Sequence, residues 1–290
     1  MKSLSGSATI NAAFSFVPDG WRGAWGALLL YAVPLALLQN GGTAVIAGLP
    51  KAGDWLSKLS VAEFIAAPVL VIIMLAGLLV SYGALFRIAL ERDTPGSGIA
   101  DDLGPAGLQW GATEGRLLGA AVLMGLCFAP VALTAFGLFA APIFLAASRA
   151  PSAGAMLSSF LMTLLVMVTA APVMIWVTTR LSPFLPATVD QRRIVLFRVW
   201  PLTRGHFWAI FLANLVIAIL GGVLVTVAQM LALGLRPLLL SATGSTMISA
   251  FPLGMLQSLA AVAVLPAKVG AMTYVYRTLR PSRSVAEVFA

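Results

Sequence analysis

The sequence predicts an all-α integral membrane protein, a bundle of six transmembrane helices with a short interfacial helix before the fifth. Three observations predict it. Of the 290 residues, 60% are hydrophobic and only 10% are charged, against roughly 25% charged in soluble domains, and the mean hydropathy is +0.99. Several windows hold the ~20 nearly uncharged residues that a helix needs to cross ~30 Å of hydrocarbon. No segment shows the ten-residue alternation, approximately, of an outer-membrane barrel strand.

The spans run Ala24–Gln39, Val61–Phe86, Leu117–Ala147, Met156–Thr179, Phe207–Leu233 and Pro252–Tyr276, forming one transmembrane domain over residues 1–290. The first is short. It follows "MKSLSGSATINAAFSF", which lacks the apolar core of a cleaved signal, so the first span is expected to serve as its own uncleaved signal. The third is long for one straight crossing. Pro130 and Pro142 within it predict a kinked, tilted helix, since proline removes a backbone hydrogen bond and clashes with the preceding turn. Splitting that run would leave two pieces each too short to cross. The fourth ends at Arg180, the fifth opens behind a basic stretch, and the sixth carries Lys268.

Charge distribution orients the bundle. With the N-terminus inside, Lys2, Arg22, Arg87, Arg92, Arg116, Arg180, Arg192, Arg193, Arg198, Arg204, Arg277, Arg280 and Arg283 face the cytoplasm, thirteen of the eighteen basic residues. Lys51, Lys58, Arg149 and Arg236 fall outside. Both termini are therefore expected on the cytoplasmic side. Preference for Ala, Gly, Leu and Arg over Lys is the composition of a high-GC bacterium, which places the chain in a bacterial inner membrane. Because the +8 net charge sits between apolar runs and not in a separate basic domain, its expected counterpart is anionic lipid, and no nucleic acid is implied. Two short echoes, "AAPVLVI" with "AAPVMIW" and the aromatic and Arg exits of spans two and six, occur at different offsets. That mismatch argues against an inverted three-span duplication.

The stretch "DQRRIVLFRVWPLTRGHFWAIF" concentrates basic and aromatic residues ahead of span five. At 100° per residue Arg192, Arg193 and Arg198 point three ways, so no single basic helical face forms. The expected arrangement is a short helix or turn at headgroup depth, held by Phe197, Trp200 and Trp208, ended by Pro201, with Thr203 as N-cap of the next helix. Its arginines either anchor the helix and satisfy the orientation rule or bind an anionic headgroup. The contact residues so identified are Arg180, Arg192, Arg193, Arg198, Thr203, Arg204 and Trp208.

Other polar residues carry less. His206 has no clustered ligands around it, so no metal site is expected, and no cofactor. Asp101 and Asp102 lie beside Glu91 and Asp93 in a Pro- and Gly-punctuated loop with no second acidic motif elsewhere, which points to a solvated loop and not to catalysis. Cys127 lies alone in an apolar run and reads as a small core residue. Lys268 either snorkels to the cytoplasmic headgroups or faces a polar interior with Gln257 and Asn214. Gly115 and Gly119 form a GxxxG that suits close helix approach, including in a homodimer.

The segment "RLSPFLPATVDQRRIVLFRVWPLTRGHFWAIF" resembles the membrane domain attached to some glycerophosphoryl diester phosphodiesterases and its stand-alone bacterial relatives. The resemblance rests on Arg180, Pro183, Pro186, Leu202, Thr203, Arg204, Gly205 and Trp208, about thirty residues. An acidic residue expected after the second proline is displaced to Asp190, and Val199 stands where a small polar residue is common. The resemblance implies a membrane module only, because the catalytic domain's second histidine and acidic metal set are missing. The expected function is non-enzymatic: binding or organising anionic lipid or a membrane partner through the Arg/Trp collar. The alternative is a small-molecule transporter with Lys268 in an intramembrane site.

Overall fold

The computed structural model describes residues 4–47, 61–93, 96, 98–99, 101, 103–147 and 153–280. It is 84% helix, with no strand among these residues. The helices are α1 (Gly6–Ala47), α2 (Val61–Asp93), α3 (Ala112–Ala147), α4 (Ala153–Leu181), α5 (Phe184–Asp190), α6 (Phe207–Thr243), α7 (Thr246–Val262) and α8 (Leu265–Leu279). Single 3-10 turns occupy Pro105–Gly107 and Phe197–Val199. Among the described residues, five segments are long and apolar enough to cross a membrane: Gly6–Gln39, Pro68–Arg92, Pro105–Ala129, Phe207–Thr243 and Ser249–Leu279. The chain is thus a multi-pass membrane protein by length and hydropathy. Lys51, Lys58, Arg149 and Asp102 lie outside the described residues.

Two boundaries differ from expectation for identifiable reasons. The first helix begins at Gly6 and not at Ala24. Thr9, Ala13, Phe16, Gly20, Ala24 and Ala27 are buried at spacings of three and four, so the segment before Ala24 is an amphipathic helix with one packed face. Ala24 (φ −125°, ψ 20°) is the break between its two parts. The sixth span divides into α7 and α8. Pro266 lies in the first turn of α8, where its missing N–H costs no hydrogen bond, whereas within a continuous helix it would clash with the preceding turn.

By its contacts the chain forms two compact units, Met1–Gly115 with Trp208–Ala290, and Arg116–Phe207. In the first, α1 packs against α2, α7 and α8, and α2 packs against α8. Leu4, Ile210 and Val275 make one buried apolar cluster, and Ala13, Ile217, Ala267 and Ala271 another. In the second cluster three of the four residues are alanine, which lets the helices approach closely. Pro34 has no N–H to offer the Leu30 carbonyl one turn back. The backbone of Gly77 lies against this group: a β-carbon there would stand 2.7 Å from the Leu30 oxygen. Ser81 Oγ, one turn on, lies 2.8 Å from the Ala27 carbonyl oxygen, to which it donates. At the other end of α2, Arg277 donates to the carbonyl of Leu90, in the last turn of that helix.

Part of the connection from α2 to α3 packs against α1 through the turn Pro105–Gly107, while Asp101, Leu108 and Trp110 are exposed. Gly107 (φ +76°) is buried, and a β-carbon there would stand 3.0 Å from Ala24 Cα, so this turn seats at the break in α1. Arg87, expected among the exposed cytoplasmic arginines, is only 4% exposed. Its Nη1 donates to Gln109 Oε1 at 2.7 Å, and its Nη2 lies 2.8 Å from Glu114 Oε1 and 3.1 Å from Oε2. Glu114 is fully buried and also accepts from the Gly111 N–H at 2.9 Å. That last bond is one half of a capping box, a third-position glutamate reaching back to the residue before the helix. Gly83 leaves room for the pair, since a β-carbon there would stand 2.4 Å from Glu114 Oε1.

Two predictions follow from this packing. Gly77→Ala forces a β-carbon onto backbone and should cost about 1–3 kcal/mol, whereas Gly222→Ala, with nothing within 4 Å, should be neutral or stabilising. Equal thermal midpoints for both variants in detergent would refute the close approach. Glu114→Gln leaves the Arg87 charge buried without its counterion and should cost about 3–5 kcal/mol. The double change Arg87→Met with Glu114→Leu should recover most of that loss in the same unfolding assay.

Candidate functional site

The basic collar lies in the second unit and begins at the end of α4. Arg180 stands one helical turn after Trp176, the spacing at which side chains on a helix meet. Its Cζ lies 5.7 Å from the centroid of the Trp176 ring and 5.8 Å from that of Trp200, within cation–π range. The two indoles meet edge to face, with centroids 5.1 Å apart and planes at 81°.

Trp200 is carried there by the chain that follows α4. Where a short helix or turn was expected between Asp190 and Trp200, the chain makes turns and the 3-10 turn Phe197–Val199; a short helix precedes them at Phe184–Asp190, with Phe184, Pro186, Ala187, Thr188 and Val189 buried. Arg192 (φ +51°) then reverses the chain, a conformation uncommon for a residue with a side chain. Beyond it Val195, Leu196 and Val199 are buried, while Arg192, Arg193, Ile194, Phe197 and Arg198 are exposed. A β-carbon on Gly119 would stand 3.0 Å from Ile194 Cδ1, so this glycine serves close packing within its own unit.

Thr203 does not cap the next helix as expected. It is buried, and its Oγ1 lies 3.2 Å from the Arg180 carbonyl oxygen and 3.1 Å from that of Trp200, bonding to both. This hydroxyl ties the end of α4 to the turn bearing Trp200. The backbone of His206 donates to the Thr203 carbonyl at 3.2 Å, and Gly205 takes φ +86°, which favours glycine.

Arg204 is exposed, as is Trp208, which meets Phe211 edge to face at 5.9 Å. Arg193 donates to Gln191 Oε1. Among the described residues, none of Arg180, Arg192, Arg193, Arg198 and Arg204 pairs with a carboxylate. The structure therefore gathers Arg180, Trp176, Trp200 and Thr203 into one cluster and leaves the remaining arginines at the surface. Trp176 escaped the sequence reading, although its spacing from Arg180 was a usable signal.

The other candidates are dispersed. Lys268 is exposed, Gln257 and Asn214 are half-buried, and no hydrogen bond joins the three among the described residues. Asp101 is exposed. Cys127, expected in the core, is exposed on α3, because the face of the helix that carries it is not covered. No group of three or more His, Cys, Asp or Glu side chains occurs among the described residues.

Thr203→Val removes the hydroxyl bridge while keeping side-chain volume. It should cost about 1–3 kcal/mol and speed tryptic cleavage after Arg198 and Arg204, with unchanged cleavage counting against the bridge. No protein-family model, curated protein or solved structure matches this chain.

Proposed function

We propose that the chain is a six-span bacterial inner-membrane protein, with both termini cytoplasmic, that binds or organises anionic lipid or a membrane partner through its Arg/Trp collar. The sixth crossing in this reading is α4, whose 29 residues would extend roughly 44 Å at 1.5 Å per residue. One observation carries the functional part. Along residues 192–198 the exposed set interleaves three arginines with Ile194 and Phe197, while Val195 and Leu196 tie the segment down. Cations beside exposed apolar side chains on an anchored loop suit a lipid headgroup layer, where charge meets phosphate and the apolar groups enter the acyl boundary. The partial resemblance of this segment to a membrane module without hydrolytic chemistry points the same way.

The test is lipid retention. Replacing Arg192, Arg193 and Arg204 together by Gln should lower retained phosphatidylglycerol, measured by native mass spectrometry after gentle extraction, by several-fold. Each basic residue near an anionic surface contributes about 1 kcal/mol. Unchanged retention in the triple variant would sink the reading.

A further inference from the structure

We propose that the Arg180 guanidinium, held between Trp176 and Trp200, is a seat for a phosphate group, supplied either by an anionic phospholipid or by a soluble phosphate. The inference deepens the collar reading and rests on that face meeting anionic ligands.

A guanidinium drawn partly out of solvent ordinarily pairs with a carboxylate. Arg180 is half-buried, its Nε is fully buried without a hydrogen-bond partner, and what flanks it is two aromatic rings. The rings favour the cation and restrict its orientation, but they accept none of its in-plane hydrogen bonds. With Nε closed to a ligand, the two Nη groups are the donors left for an acceptor, and phosphate and carboxylate oxygens match their spacing bidentately.

Protein carboxylates are scarce nearby in sequence. The unit Arg116–Phe207 contains seven arginines and a single acidic residue, Asp190. This imbalance selects an anion as the missing partner. Position selects phosphate: Arg180 ends a 29-residue apolar helix beside two tryptophans, the arrangement of a membrane interface at headgroup level.

The cluster is also built before any ligand arrives. Thr203 fixes the backbone of both Arg180 and Trp200, and stacking limits the rotamers of the arginine. Preorganisation of this kind lowers the entropy that binding must overcome. It separates Arg180 from the surface arginines. Exposed charges act through a field that salt screens within about 8–10 Å, whereas a stacked, partly desolvated fork acts through geometry.

The decisive experiment is isothermal titration of the detergent-purified full chain with short-chain phosphatidylglycerol, short-chain phosphatidylcholine and inorganic phosphate, at low salt and at about 1 M salt, where the Debye length is about 3 Å. Arg180→Lys keeps the charge but loses the fork, and Trp200→Leu keeps the arginine but loses one ring. Each should weaken phosphatidylglycerol binding at least tenfold at high salt, with helical circular dichroism unchanged. The variant lacking Arg192, Arg193 and Arg204 should weaken binding chiefly at low salt. Binding of phosphatidylglycerol alone would identify a lipid headgroup as the ligand, and competition by inorganic phosphate a soluble one; both support the seat. Wild-type affinity at high salt in Arg180→Lys and Trp200→Leu, or no saturable binding of any probe, would overturn it. A triple variant without effect beside a weakened Arg180→Lys would remove the collar reading and leave the seat standing.

Discussion

Arg87 and Glu114 bring two full charges into a region closed to solvent, and much of the first unit is arranged around that demand. A buried ion pair survives only when geometry and extra hydrogen bonds offset the loss of hydration. Here Gln109 takes one guanidinium donor and the Gly111 amide satisfies one carboxylate oxygen. The pair therefore fixes three things at once: the C-terminal part of α2, the turn Pro105–Gly107, and the first turn of α3. Each is a neighbour in space only because the chain between them folds back. Gly83 and Gly107 are the permissive residues, one making space for the carboxylate and the other letting the turn lie on α1.

The same logic governs the uncharged backbone. In a membrane every carbonyl freed by a kink or a helix end needs a partner within the protein. Pro34 frees the Leu30 carbonyl, and α2 comes up against it through Gly77. The kinked α1 also presents the Ala27 carbonyl to Ser81 and the Ser15 carbonyl to Arg92, whose guanidinium reaches Asp19 at 3.2 Å as well. Arg277 serves the end of α2. Arginines counted from sequence as cytoplasmic charge thus include two, Arg92 and Arg277, that donate to backbone carbonyls of another helix.

In the second unit, buried apolar and exposed charged residues divide along the loop after α4. Its apolar residues go inward at Val195, Leu196 and Val199, and its cations stay out. Thr203 closes the loop by bonding two carbonyls from distant positions. The outcome is a tethered backbone that carries exposed charged side chains, with one arginine half-buried and flanked by indoles.

Hydropathy determined the helical class and the multi-pass character, because twenty apolar residues in a row have few other uses. Of the six spans it predicted, five overlap segments that are long and apolar enough to cross among the described residues, and Met156–Thr179 is not among them. Basic and aromatic density likewise located the stretch between Arg180 and Trp208. What sequence could not supply was pairing. Whether Arg87 faces water or Glu114 depends on a contact across 27 positions. Whether Thr203 caps a helix or bridges two turns depends on where α4 ends in space. The amphipathic segment before Ala24 escaped hydropathy because, apart from Phe16, the buried positions Thr9, Ala13 and Gly20 are small residues that carry little hydropathy signal yet pack closely. Sequence by itself determined how much of the chain avoids water. The tertiary structure decided which polar groups meet, since hydrogen bonds and ion pairs act over a few ångströms that only the folded chain brings together.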